Sequence, residues 1–161
     1  MVYLPENLMK KKKKSIEGYI VFMLGKRDYS ENELRDRLEK KEYYDPVIVN
    51  NVIENFKEIG YISDARCVES LVNSSYGSLY GVNKIKQKAF KRSLDMDSVM
   101  LEVQQYDFYE TCFKYLKTKI RGVDEIDDYK SKQKLINKLI ARGFSFDEIN
   151  YSIDKYKEEQ L

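Results

Sequence analysis

The side chains that carry out most protein chemistry are scarce in this chain of 161 residues, which has two cysteines and no histidine. Cys67 and Cys112 stand far apart with no C-x-x-C spacing, and two thiols without an imidazole cannot assemble the usual zinc set or a Cys-His nucleophile pair. There is also no G-x-S-x-G turn, no P-loop and no glycine-rich dinucleotide turn. Asp95 with Asp97, and Asp127 with Asp128, are carboxylate pairs that in principle bind a cation or share a proton. Both lie just ahead of helical patterns, where Asp serves as an N-cap and offsets the helix dipole, and that is the favoured reading. The chain is read as a non-enzyme with no metal and no cofactor.

What the sequence does offer is cationic. Lys84, Lys86, Lys88, Lys91 and Arg92 follow one another with no acid among them, and so do Lys130, Lys132, Lys134, Lys138 and Arg142. The segments after them are acidic: Asp95, Asp97 and Glu102, then Asp147, Glu148 and Asp154. If the two basic segments face the same way, their side chains form an interrupted basic stripe. The alternative is a pair of solvated faces whose charges are met by the acidic helices. Lys10, Lys11, Lys12, Lys13 and Lys14 form a further run, either a solvated tail or a contact for nucleic acid. A formal net charge of only +2 argues against a protein that coats nucleic acid over its whole surface.

These groups are positioned by helices. Apolar residues recur at helical spacing in Leu34 and Leu38, in Ile48, Val49, Val52, Ile53 and Phe56, and in Val68, Leu71 and Val72. The run Tyr19 to Leu24 has strand character when taken alone, but lacks a partner of similar character and is read as a buried helix. It is far shorter than the ~20 residues that span a bilayer. With no secretory leader pattern and two unpaired cysteines, a cytoplasmic monomer is expected.

A repeat of about 50 residues organises the pattern. Leu34, Ile85 and Leu135 align, as do Leu38, Ala89 and Leu139; Lys41, Arg92 and Arg142; Tyr43, Leu94 and Phe144; Ile48, Val99 and Ile149; and Val52, Val103 and Ile153. A further helix precedes each pair at about 15 to 26, 63 to 76 and 107 to 121. The expected fold is all-α: an elongated, curved array of three tandem three-helix repeats, covering 15–62, 63–106 and 107–161 after an extension at 1–14. One repeat exposes too much apolar surface to stand alone, so neighbours must stack.

The corner FKEIGYISDAR, Phe56 to Arg66, shows how one repeat hands over to the next. Gly60 can end a helix in the left-handed conformation, Ser63 can cap the following one, and Ile62 can staple to Cys67. Arg66 falls in the first turn of that helix, where the dipole disfavours a cation. It needs a carboxylate, with Glu54 or Glu58 on the preceding helix as candidates, or else it faces a partner.

GYISDAR, with KRDYSENEL before it, Gly81-x-x-x-Ile85 after it and Arg142-Gly143-Phe144 near the end, resembles the RecX family of recombination regulators over about residues 16 to 160. The chain departs from the family pattern at Cys67, Val68 and Ala89, and at Glu42 and Ser93 where a corner glycine is usual. The resemblance implies the same array of three-helix repeats. It also implies a partner, the recombinase RecA and its filament on single-stranded DNA, with the protein lodged in the filament groove to restrain strand exchange, ATP turnover and co-protease activity. On that reading the contact residues are Lys84, Lys88, Lys91 and Arg92 together with Lys132, Lys134, Lys138 and Arg142, joined by Arg66 and Lys10 to Lys14 as further candidates. Weak direct contact with DNA is compatible with this. The competing reading is a DNA-binding protein that uses Lys84 to Arg92 in a helix-turn-helix manner. Asn83 and Gln87 are the only amides on that helix, however, and lysines favour phosphate over base edges.

Overall fold

The computed structural model describes residues 3–6 and 15–161, and among these it contains ten α-helices and no strand. They are α1 (Ile16–Leu24), α2 (Glu31–Leu38), α3 (Pro46–Glu58), α4 (Asp64–Gly77), α5 (Val82–Lys91), α6 (Met96–Val103), α7 (Phe108–Lys119), α8 (Asp124–Asp127), α9 (Tyr129–Arg142) and α10 (Phe146–Glu159). By internal packing the chain forms two compact units. The first is Met1–Glu69 with Phe90–Asp95, and the second is Ser70–Ala89 with Met96–Leu161. Among the described residues, no helix is long and apolar enough to cross a membrane.

Most helix starts are encoded by short polar residues. Ser15, Asp45, Asp107 and Asp128 each accept a backbone N–H in the first turn of α1, α3, α7 and α9. Ser30 and Ser145 go further, forming reciprocal capping boxes with Glu33 and Glu148 at the starts of α2 and α10. The corner after α3 forms as expected. Gly60 sits at φ 81°, the amides of Tyr61 and Ile62 fold back onto the Phe56 carbonyl, and Ser63 accepts the Arg66 N–H at 3.2 Å.

The first unit is built on α1, which is buried along nearly its whole length and packs on α3, while α2 packs on α3 as well. Ile20, Leu34, Leu38 and Ile53 are fully enclosed there, and Leu4 joins the same core although Tyr3 beside it is exposed. The run Tyr19 to Leu24 is thus helix. In the second unit α7 packs most extensively on α10 and also on α9, around Phe113, Leu116, Leu139, Phe144 and Ile149. Phe108 and Tyr106 meet Tyr76, with ring centroids 5.7 and 4.7 Å away.

Two aligned columns are out by a residue. Ile48 is 48% exposed, whereas Val99 and Ile149, which align with it, are fully buried. The buried positions of α3 are Val49, Ile53 and Phe56. The cause is the length of the corner: the cap of α3 is Asp45, seven residues after Leu38, while that of α10 is Ser145, six after Leu139. The structural equivalents of Val99 and Val103 are therefore Val49 and Ile53. The preceding columns hold, with Leu34, Ile85 and Leu135 buried, and Leu38, Ala89 and Leu139 fully so.

Candidate partner-binding surface

The eight basic residues singled out on α5 and α9 and just beyond them fall into two groups. The two arginines turn inward. Arg92 lies in the first unit, with Nε 3.5 Å from a Glu33 carboxylate oxygen, though not aligned for a hydrogen bond, while Nη2 donates to the Asp28 carbonyl at 3.2 Å. Arg142 lies in the second unit, donating from Nε to the Leu79 carbonyl at 2.9 Å and from Nη2 to the Ser78 carbonyl. Its guanidinium also lies 3.6 Å from the Tyr80 ring centroid and 4.8 Å from that of Tyr115.

These two arginines occupy the same repeat position and do the same work. Asp28 precedes Leu34 by six residues and Leu79 precedes Ile85 by six, so each guanidinium holds the equivalent carbonyl in the loop before a second helix of the repeat. A second contact accompanies each. Ser30 Oγ donates to the Arg92 carbonyl at 3.1 Å, and the Gly81 amide donates to the Arg142 carbonyl at the same distance. Lys41, the third member of the column, places its ammonium 4.6 Å from the Tyr19 ring.

The lysines differ. Lys88 is half-buried, with its ammonium 3.8 Å over Tyr80 and 3.5 Å from Ser75 Oγ. Lys84 and Lys132 are half-buried and Lys91, Lys134 and Lys138 exposed, and among the described residues none of these five is in an ion pair. Lys91 lines a polar cavity of about 450 Å³ in the first unit with Tyr19, Glu33, Asp36, Arg37, Lys40, Lys41 and Ser93. Elsewhere in the second unit lysines stand against carboxylates: Lys155 pairs with Glu110 at 2.7 Å and Lys117 with Glu159 at 3.6 Å, and Lys157 meets Asp127 more loosely at 4.0 Å. Among the described residues no ion pair joins the basic helix α9 to the acidic helix α10.

Arg66 has a partner, and it is neither Glu54 nor Glu58. Its guanidinium grips Asp28 through two hydrogen bonds of 2.9 and 3.0 Å and also reaches the carbonyls of Gly60 and Tyr61. Asp64 completes this corner by accepting the Glu31 amide at 2.8 Å, so the first turn of α4 is fastened to the start of α2. Lys10 to Lys14 lie outside the described residues. Of the carboxylate pairs, Asp128 caps α9, and hydrogen bonds from Ser131, side chain and backbone, hold its carboxyl below the usual range.

Two cations not singled out in the sequence, Lys119 and Arg121, share a groove with Lys134 and Lys138 in the second unit. Helix α7 ends at Lys119, and Ile120 continues in extended conformation, which carries Arg121 away from the helix axis. Read as the tail of a longer helix, these residues gave no sign of a shared face.

Comparison with known proteins places this architecture. The family model for the first three-helix domain of RecX matches residues 20–55, and that for the third three-helix domain matches residues 105–153. The chain is 30% identical over 146 residues to the regulatory protein RecX of Haemophilus influenzae, spanning 88% of this chain and 95% of that protein. This chain belongs to the RecX family. It is also 33% identical over 137 residues to the regulatory protein RecX of Acinetobacter baylyi, spanning 85% of each. The crystal structure of RecX from Lactobacillus salivarius has the same fold, with a TM-score of 0.75 at 19% identity over 87% of this chain and 93% of that one. A regulatory role comes with RecX membership, and tandem helical repeats fit the all-helical architecture.

Proposed function

We propose that this protein binds the recombinase RecA and its filament on single-stranded DNA, lodging in the filament groove and restraining strand exchange, ATP turnover and co-protease activity without catalysis of its own. The repeats at 15–62, 63–106 and 107–161 form the array that spans adjacent recombinase subunits, acting in the cytoplasm as a monomer. The observation that carries the reading is the set of lysines on α9: among the described residues Lys132, Lys134 and Lys138 are in no ion pair, Asp128 acting on Lys134 only through its field, although the neighbouring α10 has lysines that are paired. Unneutralised cations on a well-packed helix cost little when solvated and are ready to meet an acidic surface or phosphate. Lys84 and Lys88 on α5 are further contact residues in the second unit, and Lys91 is one in the first. Arg92 and Arg142, each within its own unit, fix the loops before α2 and α5.

The helix-turn-helix alternative has less support. A recognition helix presents its N-terminal residues to the bases. The start of α5 is instead taken up by the end of α9, with the Gly81 and Asn83 amides bonded to the carbonyls of Arg142 and Gly143 at 3.1 and 3.0 Å.

The test replaces Lys132, Lys134 and Lys138 with Glu and measures inhibition of RecA ATPase on single-stranded DNA. Inhibition is expected to fall at least tenfold. Undiminished inhibition by a variant with unchanged helix content would overturn the assignment of these residues.

A further inference from the structure

Lys119, Arg121, Glu125, Ser131, Lys134, Leu135 and Lys138 line a groove of about 300 Å³ in the second unit. One wall is a single stripe of α9, since residues 131, 134, 135 and 138 follow the i, i+3, i+4, i+7 spacing of one helix face. The other wall comes from the end of α7, the connection after it, and α8. Four cations therefore converge from separate elements, and one carboxylate faces them. That carboxylate, Glu125, holds Arg121 only loosely, at 4.0 Å, and the Arg121 side chain is 92% exposed. Among the described residues Lys119, Lys134 and Lys138 are in no ion pair, although Asp128 lies near enough to Lys134 to feel its charge, whereas Lys117, Lys155 and Lys157 of the same unit are paired.

The lining also says what the groove does not bind. Leu135 is its only apolar residue and is buried, so there is no aromatic or aliphatic anchor of the kind that dominates protein interfaces. Nor does the lining offer an aromatic platform for stacking a base. Flexible ammonium groups around a polar trough suit a run of phosphates read by charge alone.

We infer that this groove is a sequence-independent seat for the phosphodiester backbone of a nucleic acid. The inference rests on the preceding reading only in taking nucleic acid as the relevant polyanion. Glu125 tempers the site, because its charge opposes the phosphate and draws weakly on Arg121.

The test titrates the intact protein against a fluorescent oligothymidylate and against a duplex of equal length, over a series of salt concentrations. Lys134→Gln with Lys138→Gln is expected to weaken binding about tenfold at low salt and to lower the slope of log K against log salt by roughly 1.4, at about 0.7 per phosphate contact on a single strand. Glu125→Gln is expected to tighten binding severalfold. Lys117→Gln with Lys157→Gln makes the same charge change at paired lysines and is expected to leave binding unchanged. The inference is overturned if that control weakens binding as much, or if neither polymer responds to the groove variants. It is also overturned if RecA binding falls while both polymer titrations stay fixed, since the groove would then meet acidic protein surface and the proposed function would stand without it. Conversely, weakened polymer binding with unchanged RecA inhibition upholds the groove and removes α9 from the recombinase contact.

Discussion

Gly81 and Gly143 meet backbone to backbone. A Cβ placed on Gly81 would fall 2.3 Å from the Gly143 carbonyl, and one on Gly143 would fall 2.5 Å from the Lys84 amide nitrogen. The helices they join can approach this closely only because neither residue has a side chain, and the approach brings the Gly81 and Asn83 amides within reach of the carbonyls of Arg142 and Gly143.

Gly81→Ala is accordingly expected to cost about 3 kcal/mol or more, because backbone rather than a movable side chain blocks the new methyl group. Gly60→Ala is the contrasting case. Its Cβ would meet nothing within 4 Å, so only the left-handed φ of 81° is penalised, at about 1 kcal/mol. Urea denaturation of the two variants should separate these losses, and equal midpoints would contradict the close-approach argument.

Arg142→Ala removes two hydrogen bonds to loop carbonyls and two ring contacts, with an expected loss of about 2 kcal/mol. Lysine has the charge but not the planar fork, so Arg142→Lys should recover less than half of that. Thermal melts of the two variants provide the check, and full rescue by lysine would show that charge alone matters.

Val49 and Ile48 are adjacent apolar residues with opposite surroundings. Val49→Ala is expected to destabilise the first unit by about 2 kcal/mol, while Ile48→Ala should cost under about 0.5 kcal/mol. The reverse order in chemical denaturation would restore the uncorrected repeat alignment.

Burial pushes the Cys67 thiol up to about 11, against the pull of nearby Arg92, and burial pushes the Cys112 thiol up to about 12. An unfolded thiol titrates near 8.5, so the folded chain keeps these protons longer. The stability this contributes is whole below about pH 8.5 and is lost progressively as pH rises toward 11 and 12. Unfolding midpoints measured at pH 7, 9 and 10.5, compared with a Cys67→Ala, Cys112→Ala variant, should show the wild type losing the larger share. At pH 8 a thiol-reactive disulfide should label the protein slowly until urea is added.

Local signals were legible in the sequence and distant ones were not. Gly60 and Ser63 act through the backbone within a few residues of themselves, so their roles could be read directly, as could the leucine pairs of α2 and α9. The Ile48 column slipped because an extra residue in a corner changes which face of the next helix is buried, and apolar neighbours on both sides hid the shift. Arg66 signalled that it needed a carboxylate, but Asp28 lies 38 residues away and nothing local points to it. Arg92 and Arg142 looked like members of a basic stripe, because an arginine at a helix end looks alike in sequence whether it serves an interior carbonyl or a partner. Lys119 and Arg121 escaped notice for the opposite reason: their companions sit on another helix.

The two equivalent junctions are made of different material. In the second unit the joint is backbone on backbone between glycines, so any side chain placed at either one disrupts it. In the first unit the same joint runs through the Ser30 hydroxyl, with Ser93 at φ 51° and its Oγ on Asp36 at 2.8 Å. The first joint can therefore be loosened by degrees, one hydroxyl at a time, whereas at the second any added side chain meets main chain at once.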